Sequence, residues 1–598
     1  MPIRCQNSRN ATAAPFSLQR RRFMQSTAFA GAAMALGLPG FSARAAGSGK
    51  TVAIIGGGVA GLSAAHELAE RGFKVSVYEQ RAWGGKVRTG TGTGGRLDLP
   101  GQYGFPFLGG FYNNLPDTLQ RIPFAKTTDN VQGNMPQSPQ LMLAAGGQRA
   151  YVNNSAFTPF SAGAAGLPAA IHSWLQDAFF ALEIPAEELA YFVSKFHVFM
   201  TSSDARRLRQ WESMSWWDYV GAATRSSNYQ RLIGTPPIST VHSKEASARS
   251  VGQALEASFY AGVGQGYRPA VSTISDQPKH GWIDTWCRHL ASLGVSLNLG
   301  VQATQFQYVN GRVTGVLADA AGHPLTIKAD WYVLAVPSEK VAALLPAAMR
   351  EADSQFAGIE KLEQRWVASV QFLLAQAAPI HQGPFACLHS PWAVTGISRV
   401  HSRPVGFAAT HGDGTVQSVL SLDVSDWTTA GVLYGLPAAQ CTQEQIAQEV
   451  LAQLRHDLPN GHSALPDSMI QSWAIDPAVT GLGTADAAHA DPLFVNTAGS
   501  WYLRPDTTTT IPNFFLAGDY VRATGAAFAS MEAANESGRR AANAILAASG
   551  SGTAPAKIYS GYTSPLLIPD FTADATRFSA CLPNKVDLLD PYCPHCLV

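Results

Sequence analysis

The sequence predicts an α/β fold, and a stretch near its amino-terminal end carries the observations that predict it. An apolar run at Val52–Ile55 is typical of a buried strand, and residues 56–61 follow it directly with the pattern G-x-G-x-x-G. Apolar residues at helical spacing come next, up to Gly72, and a second apolar strand, Lys74–Tyr78, is followed by Glu79. Strand, glycine-rich turn, helix and strand in this order predict a βαβ unit of the Rossmann type.

Each residue type in this unit has a physical role that points to a dinucleotide. Gly56 permits the tight turn, Gly58 lets the backbone approach a pyrophosphate, and Gly61 lets the helix pack on the strand. The helix amino terminus offers free N–H groups and the positive end of its dipole to the phosphates. Glu79 is placed to accept both ribose hydroxyls, and its charge would repel the 2′-phosphate of NADP. The alternative is a glycine-rich loop in an ordinary α/β unit.

A second glycine-rich loop follows the second strand. Gly84-Gly85 exposes backbone donors, and Arg81 with Lys86 or Arg88 supplies positive charge for a pyrophosphate. This close order resembles the second phosphate loop of the flavin amine oxidase and carotenoid (phytoene) desaturase superfamily. Nicotinamide enzymes of the simple Rossmann type do not need such a loop, so the resemblance implies FAD.

The carboxy-terminal part completes the same pattern. Residues 514–517 predict a short apolar strand that ends in Gly518-Asp519, and a helix begins near Ser530-Met531-Glu532. This order resembles the carboxy-terminal flavin motif of the superfamily, closest to its desaturase and hydroxysqualene dehydroxylase-like branch. The resemblance implies that Asp519 bonds the ribityl chain or the pyrophosphate, and that the backbone of Met531 faces the pyrimidine end of a non-covalently bound FAD. A helix amino terminus there stabilises the negative charge of reduced flavin.

The resemblance also implies how the 598 residues are divided. It implies a Rossmann-type, glutathione-reductase-like FAD-binding domain built from discontinuous segments, with an interleaved α+β substrate domain. The predicted FAD-binding segments are residues 50–125, 268–345 and 495–549, the substrate-binding segments are residues 126–267 and 346–494, and residues 550–598 form a carboxy-terminal tail.

Some elements within these segments carry strong local signals. Apolar residues at helical spacing predict helices at residues 169–182 and 187–199, and such helices resemble those that wall a hydrophobic channel in the family. Residues 281–293 predict an amphipathic helix. Asn310-Gly311 predicts the turn of a β-hairpin.

The remaining predicted contacts rest on the resemblance. Residues 97–112 resemble the segment that passes the flavin ring, where a Gly-Glu-His-Gly-Phe type of phrase is common. This chain has Gln102 and Tyr103 instead, which removes groups that titrate near neutral pH. Gln102 is then a predicted cofactor contact, and Tyr103 a predicted substrate contact through its hydroxyl or ring. Ala303 falls where the family makes a backbone contact with the adenine end of FAD.

Two further aromatic residues are predicted catalytic contacts. Trp501 and Tyr502 precede the last flavin motif, so their rings can face the flavin and hold a substrate carbon or amine near flavin N5. The alternative is plain core packing.

Composition excludes several classes of function. Charged residues make up only 14% of the chain and hydrophobic residues 46%, which favours a large buried interior or an apolar surface. The formal net charge is +1, so no electrostatic field draws nucleic acid, and no nucleic-acid partner is predicted.

The sequence shows no recognisable Ser-His-Asp arrangement and no recognisable metal site. Cys593 and Cys596 have C-x-x-C spacing, which favours a disulfide in an oxidising compartment and does not make a zinc site without a second pair.

Residues 1–45 predict an export signal. Residues 20–24, Arg-Arg-Arg-Phe-Met, look like a twin-arginine motif, and residues 43–45 offer an A-x-A cleavage site. The twin-arginine machinery carries folded proteins, which suits a chain that loads FAD before export to the periplasm. The alternative is a disordered, alanine-rich leader.

Three functions are compatible with these features. The first is an FAD-dependent desaturase or dehydrogenase that removes hydride from a C–H bond of an apolar, isoprenoid-like or alkyl small molecule. The second is an amine or amino-acid oxidase that produces an imine and hydrogen peroxide. Oxygen or a quinone is the expected electron acceptor. The third is a flavin-binding scaffold that has lost its activity.

Overall fold

The computed structural model describes residues 50–589, except residues 94–95, 103–106, 125–128, 136, 139–140, 153–162, 237–241, 243, 263–270, 274–280, 382, 399–407, 409–411 and 525–527. The predicted export signal, the predicted substrate contact Tyr103 and the Cys593 and Cys596 pair lie outside the described residues.

The strands, in chain order, are β1 Thr51–Ile55, β2 Lys74–Glu79, β3 Thr89–Thr93, β4 Arg96–Gln102, β5 Phe107–Leu108, β6 Gln137–Ser138, β7 Leu141–Ala145, β8 Gln148–Val152, β9 Val271–Thr273, β10 Ser296–Leu299, β11 Val301–Val309, β12 Arg312–Ala320, β13 His323–Ile327, β14 Trp331–Leu334, β15 Gln364–Arg365, β16 Ala368–Leu374, β17 Pro384–Cys387, β18 Thr395–Ser398, β19 Ser418–Val424, β20 Ile470–Ile475, β21 Val479–Thr480, β22 Ala488–His489, β23 Leu493–Phe494 and β24 Phe514–Leu516.

The α-helices, in chain order, are α1 Val59–Glu70, α2 Asn114–Gln120, α3 Leu167–Ala181, α4 Ala186–Thr201, α5 Asp204–Arg206, α6 Trp216–Tyr219, α7 Ser227–Tyr229, α8 Ala248–Gly262, α9 Trp282–Ser292, α10 Ser338–Leu344, α11 Ala347–Glu351, α12 Gln355–Ile359, α13 Gln443–Asp457, α14 Gly461–Ala464, α15 Met531–Ala548 and α16 Ile568–Ser579. No α-helix among the described residues is both long enough and apolar enough to cross a membrane.

A five-stranded parallel sheet forms the centre of the fold. Its order is β10-β2-β1-β14-β24, and every neighbouring pair is parallel. Numbered by their place in the chain, these strands have the order 3-2-1-4-5, which is the Rossmann order. The predicted Rossmann-type α/β fold is therefore confirmed. In such sheets ligands bind beyond the carboxyl ends of the strands, where the order reverses between β1 and β14.

Helix α15 lies against helix α1 and brings the carboxy-terminal motif beside the first glycine-rich turn. The closest approach is at Gly538, where a Cβ atom would lie 2.3 Å from the carbonyl oxygen of Ala60. Only glycine fits at this crossing because the two backbones are almost in contact. The two ends of the chain's flavin-like signature are thus neighbours in space.

A second, mixed sheet has the order β20-β16-β19-β18-β17-β7-β8, in which β17 and β7 are the parallel pair. Strand β7 is buried on both faces, and its side chains alternate between two cores. Met142 and Ala144 join the core under α13, whereas Leu143 and Ala145 join the core of the helices between 167 and 262. Strands of the two sheets alternate along the chain, as expected for interleaved domains. The predicted domain boundaries stay a prediction.

The elements with strong local signals form as predicted. The two expected helices are α3 and α4, and the amphipathic helix is α9. Strands β11 and β12 form the expected hairpin, in which Asn310 has φ +50° and Gly311 has φ +78°. Positive φ at both turn positions matches the right-handed twist of the strands.

The described part of the predicted tail packs on the rest of the chain. Asp574 of α16 accepts hydrogen bonds from Arg206 Nε at 2.9 Å and from the backbone N of Ser203 at 2.8 Å. Arg206 is 1% exposed and Asp574 is 2% exposed, so this is an internal ion pair. Residues 564–589 therefore belong to the folded body of the protein.

Candidate functional site

A cavity of about 600 Å³ opens at the carboxyl ends of the parallel strands. The three motifs that the sequence singled out meet there, although the last of them is more than 400 residues from the first. The predicted cofactor contacts that line the cavity are Gly56, Gly58, Glu79, Arg81, Gly84, Gly85, Lys86, Ala303, Gly518, Asp519 and Met531.

The first glycine-rich turn is shaped by close backbone approaches. Gly56 has φ +111°, and a Cβ atom there would lie 2.4 Å from the carbonyl oxygen of Ala335. A Cβ atom on Gly61 would lie 2.0 Å from the carbonyl oxygen of Gly56, so Gly61 supports the turn from below and does not line the cavity. Gly58 differs because a Cβ atom there would clash with nothing, its nearest neighbour being Gly85 Cα at 3.9 Å. Gly58 lines the cavity.

The two glycine-rich loops form one cradle. The backbone N of Gly84 donates to the carbonyl oxygen of Gly57 at 2.8 Å. A Cβ atom on Gly85 would lie 3.1 Å from Gly58 Cα, so side chains on these two residues would fill the gap between the loops. The amino terminus of α1 lies at this gap, because Gly58, Val59 and Ala60 all line the cavity. A cradle of backbone donors at a helix amino terminus fits an anionic phosphate group.

Glu79 is held in a fixed position at the cavity wall. Its two carboxylate oxygens accept hydrogen bonds from the backbone N atoms of Gly57 and Arg81, each at 2.8 Å. A carboxylate has about four acceptor positions, so each oxygen keeps one for a hydroxyl group. This arrangement fits the predicted contact with a ribose.

The arginines of the second loop have a partner that the sequence did not reveal. Arg81 and Arg88 both donate to Asp491, Arg88 at 2.8 Å, and Asp491 also lines the cavity. Burial raises the pKa of Asp491, but its bonds with the two guanidinium groups outweigh burial and lower this pKa. Lys86 has no ion pair within the described part of the chain, and it is the cation of this loop that a bound phosphate could pair with most directly.

The carboxy-terminal motif places a second helix amino terminus at the cavity. Ser530 caps α15 by accepting a hydrogen bond from the backbone N of Ala533 at 3.2 Å, and Met531 is the first residue of the helix. Glu532 faces away into the protein and accepts from the backbone N atoms of Asn113, Asn114 and Leu115 at 2.6 to 2.9 Å. Burial raises the pKa of Glu532, although these hydrogen bonds oppose it. Glu532 thereby fixes α2 against α15.

The side chains that close the rest of the cavity are mainly apolar. Helix α8 supplies Val251 and Ala254, and the rings of Phe111 and Phe528 meet edge to face with centroids 5.8 Å apart. Tyr112 also lines the cavity, and burial raises the pKa of its hydroxyl group. Helix α8 belongs to the segment that the sequence assigned to the substrate domain.

The structure does not bring Trp501 or Tyr502 to this cavity. Tyr502 is 54% exposed, and its hydroxyl donates to the carbonyl oxygen of Leu208 at 2.8 Å. The indole of Trp501 lies 4.0 Å from the guanidinium of Arg249 and has further guanidinium groups around it. These positions correct the expectation that the two rings face the cofactor, because both rings are engaged with protein groups elsewhere.

Two other predicted contacts come from the segment that was expected to pass the flavin ring. The backbone of Gln102 pairs with Thr89 at the end of β4. Tyr103 lies outside the described residues, so its contact with substrate stays a prediction.

Comparison with known proteins identifies the family of this chain. A family model described as flavin containing amine oxidoreductase matches residues 59–546. The probable zeta-carotene desaturase of Synechococcus elongatus is 25% identical over 520 residues, which cover 83% of this chain and 98% of that protein.

Solved structures of amine oxidases share the fold. Wild-type putrescine oxidase bound to putrescine superimposes with a TM-score of 0.54 and 16% identity, and cyclohexylamine oxidase from Brevibacterium oxydans with a TM-score of 0.50 and 14% identity. Each alignment covers 83% of this chain and 99% of the other. At these identities the likeness shows a common fold and does not extend to the substrate.

Proposed function

Because this chain belongs to the family of flavin-containing amine oxidoreductases, we propose that it is an FAD-dependent enzyme that takes hydride from a C–H bond of an apolar, isoprenoid-like or alkyl substrate. The family makes the chain a flavin-dependent oxidoreductase that acts on a small molecule. The apolar closure of the cavity by α8, Phe111 and Phe528 is the observation that carries the choice of substrate.

The residues of the cradle fit FAD as the flavin. Glu79 would accept the ribose hydroxyls, and the amino terminus of α1 with Lys86 would hold the pyrophosphate. Asp519 would bond the ribityl chain or the pyrophosphate, and the backbone of Met531 at the amino terminus of α15 would face the pyrimidine end of the flavin. When bound, FAD supplies the hydride acceptor. Non-covalent binding is supported because the described cysteines, Cys287, Cys387, Cys441 and Cys581, do not line the cavity.

The chain's own contribution to the reaction is positioning and the exclusion of water. Val251 and Ala254 offer an apolar surface on which a hydrocarbon can be oriented next to the cofactor. The dipole of α15 favours negative charge at its amino terminus, where charge accumulates when hydride is accepted. The name of the Synechococcus relative, a probable zeta-carotene desaturase, supports an apolar polyene as the type of substrate.

An amine oxidase is the second candidate. The family model names amine oxidoreductases, and the superimposed structures include enzymes named for putrescine and cyclohexylamine. An amine substrate would give up hydride to form an imine, and oxygen would then be reduced to hydrogen peroxide.

Anaerobic titration of the visible flavin spectrum distinguishes the candidates. One panel holds amines and amino acids, and the other holds apolar polyenes in detergent. Bleaching by the apolar panel alone supports the proposal, whereas bleaching by an amine, with peroxide on readmission of air, replaces it with the oxidase. Bleaching by dithionite but by neither panel would favour a flavin-binding scaffold without activity.

We also propose a location in the periplasm, which the predicted export signal supports, and oxygen or a quinone as electron acceptor. The twin-arginine sequence and the A-x-A site are the supporting features. Cleavage after Ala45 predicts a mature chain that begins at Ala46. Amino-terminal sequencing of protein from the native host tests this, and an intact Met1 end would contradict it.

A further inference from the structure

Two histidines and an aspartate meet at one end of the mixed sheet, away from the flavin cavity. His389 follows strand β17, and His456 and Asp457 are the last residues of α13. The Nδ1 atoms of His389 and His456 lie 3.3 and 3.2 Å from Oδ1 of Asp457. One ligand atom from each of the three residues lies within 4.8 Å of the other two.

The hydrogen bonds around His389 decide which ring nitrogen carries its proton. Nδ2 of Asn228 donates to the carbonyl oxygen of Leu182 at 2.8 Å, so Oδ1 of Asn228 is the atom that faces Nε2 of His389 at 3.1 Å. An amide oxygen can only accept, which places the proton of His389 on Nε2. In the neutral ring, Nδ1 therefore presents a lone pair to Asp457.

Asp457 is fixed so that its charge faces the two imidazoles. The side chain is fully buried. Oδ2 accepts from the backbone N of His389 at 2.8 Å, and Oδ1 accepts from the backbone N of Gly146 at 3.0 Å. A lone pair on Nδ1 and a carboxylate oxygen that face each other at 3.3 Å attract a cation between them. The choice is between a proton on His389 and a metal ion.

The geometry points to a metal ion, and we propose that His389 Nδ1, His456 Nδ1 and Asp457 Oδ1 bind one divalent transition-metal ion of the Zn²⁺ type. In tetrahedral zinc sites, bonds of about 2.0–2.1 Å place neighbouring ligand atoms about 3.3 Å apart, close to the two separations found here. The hydrogen bond from His389 Nε2 to Asn228 is the outer contact that fixes a metal-binding histidine in its tautomer. Water completes the coordination.

The site is reachable from solvent and lies apart from the flavin cavity. The side chain of His456 is 66% exposed, so an ion can enter from solvent. None of the ligand residues lines the flavin cavity. The ion would tie the end of α13 to the turn after β17 and, through Asn228, to the start of α7. Its binding is independent of the proposed hydride transfer.

The decisive experiment is zinc binding by the untagged holoprotein, measured by calorimetry after dialysis against EDTA. The protein carries Cys593→Ser and Cys596→Ser, so that the carboxy-terminal Cys-Pro-His-Cys sequence cannot bind the added ion. We expect one Zn²⁺ per chain and a melting temperature that rises with Zn²⁺. Addition of Co²⁺ to the EDTA-treated protein should give visible absorption typical of a low-symmetry site.

His456→Gln is the informative variant because His456 is exposed and its loss should leave the fold intact. We expect its affinity for Zn²⁺ to fall by at least about 10-fold, in line with the loss of a ligand. His462→Gln, at another exposed histidine nearby, is the matched control and should bind like the parent. Absence of binding with Zn²⁺ in large excess, or equal affinities of the His456→Gln and His462→Gln proteins, would overturn the proposal.

Discussion

At the scale of single residues, the cavity depends on groups whose partners lie far away in the chain. Asp491 binds two arginines that precede it by about 400 residues, and Glu532 caps a helix that begins at Asn114. No local pattern shows that these carboxylates bind such distant partners, so the sequence could not predict the contacts. The glycines could be predicted because the turn itself requires their conformation, as the φ of +111° at Gly56 shows.

Asp491 gives a prediction about stability and pH. Its pKa is lowered in the folded protein, so it stabilises the fold above the ordinary pKa of 3.8 and loses this effect as the pH falls through the folded value. Asp491→Asn should lower the free energy of unfolding at pH 7 by about 1–2 kcal/mol. The loss is smaller than for a fully buried ion pair, because the side chain of Arg81 is half exposed and solvent weakens the interaction. Urea unfolding at several pH values measures this.

The difference between the wild-type and Asp491→Asn proteins should shrink as the pH falls below about 4. Asp486→Asn, at an exposed aspartate in the same segment, serves as the control and should change little. If the difference in the free energy of unfolding between the two proteins stays constant down to acid pH, the charge of Asp491 is not what stabilises the loop.

At the scale of elements, local signals predicted what local forces determine. The Asn310-Gly311 turn and helix α9 form where expected, since their conformational preferences act over a few residues. Strand β7 of the mixed sheet was not predicted, because it is buried on both faces and pairs in parallel with β17, which lies far away in the chain. The prediction that the ring of Tyr502 faces the flavin was wrong for a related reason. A residue that is close to a motif in the sequence can still point its side chain away from the site that the motif forms.

The crossing of α1 and α15 gives a second prediction. Gly538→Ala places a Cβ atom 2.3 Å from the carbonyl oxygen of Ala60, so the two helices must separate. We expect a loss of about 1–3 kcal/mol in the free energy of unfolding and weaker flavin retention. Chemical denaturation measures the first and the visible spectrum the second. Gly552→Ala, where a Cβ atom meets nothing within 4 Å, should be neutral, and equal effects of the two changes would refute the explanation.

Helix α8 tests the apolar wall. Ala254→Asp puts a charge into the cavity. An apolar substrate that binds there would displace the water around this charge without replacing its hydrogen bonds, so binding becomes unfavourable. We expect kcat/KM for an apolar substrate to fall at least about 10-fold while the bound flavin is retained. Ala257→Asp makes the same change on the same helix outside the cavity. If both variants keep the activity of the parent, α8 does not contact the substrate.

At the scale of the whole molecule, two sheets from alternating segments share one folded body. Helix α16, in the carboxy-terminal tail, packs on this body and stabilises it. The Rossmann type of the parallel sheet was predictable because a recognisable motif follows several of its strands. The packing of residues 564–589 was not, since no local pattern in this stretch gives a sign of the buried ion pair between Arg206 and Asp574.

That ion pair predicts a large effect of a change near the end of the chain. Asp574→Ala leaves the Arg206 guanidinium buried without its partner, which should cost about 3–5 kcal/mol in the free energy of unfolding. Thermal and urea unfolding measure the loss. Asp467→Ala breaks an ion pair whose aspartate is 89% exposed and should have little effect. Similar losses in both variants would mean that burial of the pair is not the cause.

The central claim is that the cradle where the three motifs meet holds FAD without a covalent bond, and the visible spectrum of Gly58→Val protein tests it most directly. Gly58 has an ordinary φ of −77°, and a Cβ atom there would have its nearest neighbour at 3.9 Å, so the variant should fold. We predict that the wild-type protein shows flavin absorption and releases FAD on denaturation, whereas folded Gly58→Val protein shows no flavin. Full flavin absorption in the variant, or none in the wild type even after FAD is added, would contradict the account.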